Sequence, residues 1–90
     1  MNALAALVLA HLRAIEAQGY AAGTLATRRL HLQRFTDWCD ARGLLTPDVL
    51  TPAMLERYQS WLSSRMQASG ARLARTTQAH MLTSVRMLLA

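Results

Sequence analysis

The 90-residue sequence has no lysine, a single cysteine, two prolines and very little valine or isoleucine. Each shortage excludes something. With Cys39 alone, neither an intrachain disulfide nor a cysteine-based metal site can form, and an intracellular setting follows. The scarcity of β-branched aliphatic residues, beside abundant Ala, Leu, Met, Arg and Gln, argues for helices and against sheets. No apolar run is long: Ala3 to Ala10 has no basic residue ahead of it and is followed by His11, Arg13 and Glu16. It is neither a signal peptide nor close to the roughly 20 apolar residues that a membrane span needs. A soluble, cytoplasmic chain with no membrane partner is expected.

Ninety residues allow one domain, residues 1–90. A chain this short buries only about 60–65% of the surface its unfolded form exposes, which leaves little room for an enclosed active site beside a core. What the chain has in quantity is arginine. Ten Arg against five acids give a formal charge of +5 and a pI near 11.1. Such a surface attracts phosphate or acidic headgroups, and the planar guanidinium fork suits phosphates and guanine edges. A solvated basic face on a helical domain is the plainer alternative.

Apolar spacing and punctuation predict four helices. Leu4, Leu7, Val8, Leu12 and Ile15 recur at helical spacing over Ala3 to Ala17, with Asn2 placed to cap the start and Gly19 to stop the helix. The second helix is expected from about Thr24 to Ala41, with Leu25, Leu32, Phe35 and Cys39 on one stripe that Arg28 interrupts, and Gly43 beyond its end. Pro47 breaks the following connection, which Leu44, Leu45, Val49 and Leu50 are expected to pin to the core. Thr51 and Pro52 then mark the start of a third helix reaching about Met66, whose stripe of Met54, Leu55, Tyr58, Trp61 and Leu62 is the heaviest apolar face. A fourth helix is expected from Thr76 or Thr77, with Met81, Leu82, Val85, Leu88 and Leu89 on one side. The chain stops in mid-pattern on this helix, so a longer source polypeptide is expected.

One pattern occurs twice: a Gly-containing approach, threonine and arginine, then a basic amphipathic helix. The first copy is Gly23-Thr24-Leu25-Ala26-Thr27-Arg28-Arg29, and the second runs from Gly70 through Arg72 and Arg75 to Thr76 and Thr77. Helix N-termini and neighbouring hydroxyls suit anions. His11, His31 and His80 fall on three different predicted helices without ligand spacing and read as surface or boundary residues, with no metal or other cofactor expected.

The spacing of Thr24, Leu32 and Phe35, then Leu50-Thr51-Pro52, then Tyr58 and Leu62, then Thr77, Leu82, Val85 and Arg86 resembles the N-terminal core-binding domain of tyrosine recombinases and phage integrases. That family's first motif places an aromatic where Arg28 stands here. The resemblance covers about residues 3 to 90. It implies an all-α, four-helix SAM-like domain forming half of a clamp around double-stranded DNA, its second and fourth helices approaching the major groove. It also implies a separate C-terminal catalytic domain carrying the tyrosine nucleophile, so this chain is not expected to be an enzyme alone. Tetramers of recombinase protomers on DNA are the implied assembly.

The candidate DNA-binding residues are Thr24, Thr27, Arg28, Arg29 and Gln33 on the second helix, and Arg72, Arg75, Thr76, Thr77, His80 and Arg86 on or before the fourth. Thr24 and Thr76 read equally well as helix caps, Arg28 as a residue snorkelling from the core edge, and Arg86 as a contact for the catalytic domain. The rival function is a helical protein-interaction module docking a partner through Met81, Leu82, Val85, Leu88 and Leu89.

Overall fold

The computed structural model describes residues 2–64 and 74–89. Asn2 starts the first helix: its Oδ1 accepts from the Ala5 N–H at 2.8 Å, and α1 runs Ala3–Ala17. Gly19, at φ +88°, takes the left-handed turn that ends it. Both boundaries are where periodicity and punctuation placed them.

Helix α2 spans Ala22–Asp40 and opens earlier than expected, with Ala21 at the capping position and no side-chain cap. Thr24 therefore lies inside the first turn and is not a cap. Tyr20 and Leu25, one residue before the cap and four residues into the helix, both pack against the core. That is the spacing of a hydrophobic staple, and apolar anchoring fixes the entry of the chain in place of a hydroxyl. Gly43, at φ +70°, follows the far end.

The connection to the next helix contains a short 3₁₀ turn, Pro47–Val49. Leu44 and Leu50 pack against the core as expected, whereas Leu45 and Val49 are exposed. The backbone does the anchoring at Leu45, because its carbonyl accepts the Leu4 N–H at 3.1 Å and satisfies a free donor of the first turn of α1.

Helix α3 spans Pro52–Ser64. Thr51 Oγ1 accepts from the Met54 N–H at 3.4 Å, and Pro52 fills the first position, where a missing donor costs nothing. Met66 lies outside the described residues. Helix α4 spans Arg75–Leu89 and, like α2, starts before its threonines: the Ala74 carbonyl accepts from Gln78, leaving Thr76 and Thr77 in the first turn.

The core joins Leu4, Leu12 and Ile15 of α1 with Leu32, Phe35, Trp38 and Cys39 of α2, Tyr58 and Leu62 of α3, and Met81, Leu82, Val85 and Leu88 of α4. Tyr58 sits at its centre, its ring 5.0 Å from Phe35 edge-on and 5.2 Å from Trp38. Such pairings add roughly 0.5–1.5 kcal/mol each beyond burial. Arg42 closes one side, its guanidinium 4.5 Å from the Trp38 ring centre. The chain is all-α, with four helices and no strand among the described residues. No helix there is long and apolar enough to cross a membrane.

Candidate nucleic-acid interface

Helices α2 and α4 share the most extensive contact in the fold, and a groove of about 410 Å³ runs beside their junction. From α2, the positions 24, 27, 28 and 31 fall on one helical stripe and bring Thr24, Thr27, Arg28 and His31 to the groove. From α4 come His80, Thr83 and Ser84, again at helical spacing. No carboxylate lines it. Four sequence candidates, Thr24, Thr27, Arg28 and His80, are thus brought together.

Their states differ. Thr27 Oγ1 donates to the Gly23 carbonyl at 3.1 Å, so its proton is engaged within the helix. Thr24 is exposed and has no hydrogen-bond partner among the described residues. Arg28 is half-buried and its Nη1 donates to the Met87 sulfur at 2.9 Å. This agrees with a guanidinium reaching out from the core edge, its stem packed and its head at the groove. His80 is exposed.

His31 corrects the sequence reading. It is buried, 8% exposed, and its Nδ1 lies 2.9 Å from Ser84 Oγ. Burial pushes its pKa below the ordinary histidine value, and the positive charge of His80, Arg28 and Arg34 acts in the same direction. His11, half-buried on α1, is lowered by burial and then by Arg28. Among the described residues no group of three His, Cys, Asp or Glu is placed to hold a metal ion.

A second, wider groove of about 870 Å³ lies on the other flank of α4, against α3. Arg75 and Arg86 line it, together with Glu56, and Thr83 borders both grooves. Thr76 and Thr77 are exposed in the first turn of the same helix. Most candidates on α4 and three of the five on α2 therefore belong to one polar surface centred on α4. Arg29 and Gln33 do not. They line a separate groove between α1 and α2, where Gln33 Nε2 donates to Asp37 Oδ1 at 2.9 Å. Arg72 lies outside the described residues.

Over 83 residues, 87% of its length, the chain is 40% identical to tyrosine recombinase XerC 2 of Ralstonia nicotianae. The chain belongs to the tyrosine recombinase family. This tyrosine recombinase chain spans about a quarter of the length of that relative, which is covered over 24%. No protein-family model matches it, and no solved structure matches it significantly.

Sequence reasoning missed His31, Ser84 and Thr83 in this family member. The spacing signal was present, since His31 follows Arg28 by one turn and Ser84 follows His80 by one turn. Only the fold shows that the two stripes face each other.

Proposed function

We propose that the chain is the DNA-binding core domain, residues 1–90, of a site-specific tyrosine recombinase, gripping duplex DNA through the surface around α2 and α4. The observation that carries this reading is the carboxylate-free α2–α4 groove, lined by Thr24, Thr27, Arg28 and His80, on a chain of charge +5. Its contacts are mainly to phosphates, which position a protein on DNA without reading sequence. Arg75, Arg86, Thr76 and Thr77 extend the footprint along α4, and Arg72 precedes it. Strand breakage belongs to another part of the parent protein, which works in the cytoplasm with further protomers on DNA.

The rival docking function loses its surface. Met81, Leu82, Val85 and Leu88 are buried in the domain's own core, and Leu89 packs against it. Of the large apolar residues on α4, only Met87 is exposed.

Fluorescence titration of the chain against duplex DNA at two salt concentrations tests the reading. Binding that weakens steeply with salt is expected, because released counterions drive phosphate association. No binding at low salt, or binding indifferent to salt, would sink it.

A further inference from the structure

The α2–α4 groove combines fixed positive charge with histidines. Ser84 Oγ donates its single proton to the His80 carbonyl at 3.1 Å. The same oxygen lies 2.9 Å from His31 Nδ1. That contact anchors the ring through Nδ1, and in the charged imidazole Nε2 is a donor as well.

Each charged or titratable group acting on His31 is basic: His80 from α4, and Arg28 and Arg34 from its own helix. From α1, His11 stands under the influence of the same Arg28. Among the described residues no acid lines the groove, so no carboxylate there offsets a positive charge on His31. A phosphate would reverse that balance. Its negative charge attracts the arginines and removes the penalty on charging the imidazole, while a protonated Nε2 gains a donor.

We propose that a DNA phosphate seated in this groove draws a proton from solvent onto His31, so that the domain holds DNA more tightly in mildly acidic solution. The proposal rests on the DNA-binding reading above and adds a control to it. The proton comes from water and binds at a ring nitrogen, with no bond broken in the DNA.

The test is fluorescence anisotropy with a labelled duplex oligonucleotide at pH 7.5, 6.5 and 5.5 and constant ionic strength. One proton taken up per complex changes affinity by at most about tenfold per pH unit. We expect binding to tighten about three- to tenfold between pH 7.5 and 5.5. Calorimetry of the same titration in two buffers of different ionisation heat reads the proton uptake directly. His31→Asn, whose amide nitrogen keeps a donor towards Ser84, is expected to flatten the pH dependence. Salt-sensitive binding with an unchanged pH slope in this variant, or with no proton uptake, overturns the proposal and leaves the DNA-binding reading intact. Absence of salt-sensitive binding at every pH overturns both.

Discussion

His31 Nδ1 and Ser84 Oγ meet at 2.9 Å inside the junction of α2 and α4, and both residues are buried. The pair links two helices that are also joined by apolar packing and by the Arg28–Met87 contact. A buried polar atom without its partner costs roughly 1–3 kcal/mol, more than the bond itself contributes.

Ser84→Ala tests that link. It leaves His31 Nδ1 without its buried partner, so the variant should lose about 1–2 kcal/mol in a urea titration. A loss below about 0.5 kcal/mol, the range of a neutral surface change, would mean that the contact does not hold the helices in register.

Acid should loosen the free protein. Both His31 and His11 have folded-state values below the ordinary 6.5, chiefly through burial. The unfolded chain therefore binds protons more readily than the folded one, and stability rises with pH. Their contribution is complete well above pH 6.5 and is lost as the pH falls through that value towards the lower folded values. Thermal melts between pH 7.5 and 5 should show a falling midpoint, and His31→Asn should shallow the fall. A midpoint constant over that range would contradict the burial of both rings. If DNA binds as proposed, the free protein and the DNA complex should respond to acid with opposite signs.

The fold was legible wherever two signals coincided. At α1 the apolar period, the Asn2 cap and Gly19 agree, and the helix runs Ala3–Ala17 as expected. At α2 and α4 the threonines suggested starts that the chain does not use. Tyr20 and Leu25 bury apolar surface and settle the entry of α2, and burial outweighs a cap worth about 1 kcal/mol. Trp38 was missing from the expected stripe, although it faces Tyr58 in the centre of the core. The candidate site was half legible. Spacing alone puts Thr24, Thr27 and Arg28 on one face, but nothing local shows that His31 is buried. Its partner, Ser84, lies 53 residues away. Burial pushes the Cys39 thiol up to about 12, so it stays protonated.

Arg28 and Arg29 are neighbours in sequence and line different grooves. One residue turns an α-helix by about 100°, which carries Arg28 to the α2–α4 groove and Arg29 to the groove against α1. If DNA binds around α4, Arg28→Ala should weaken binding and lower the salt slope by about one unit, the signature of one lost phosphate contact. Arg75→Ala, on the other flank of the same helix, should act similarly. Arg29→Ala should change the slope little. Salt-dependent anisotropy titrations of the three variants measure this, and thermal melts guard against a folding effect at Arg28, whose head group also meets Met87. A larger loss from Arg29→Ala than from Arg28→Ala or Arg75→Ala would move the interface to the α1–α2 face, where Asp40 shares the groove and opposes a phosphate.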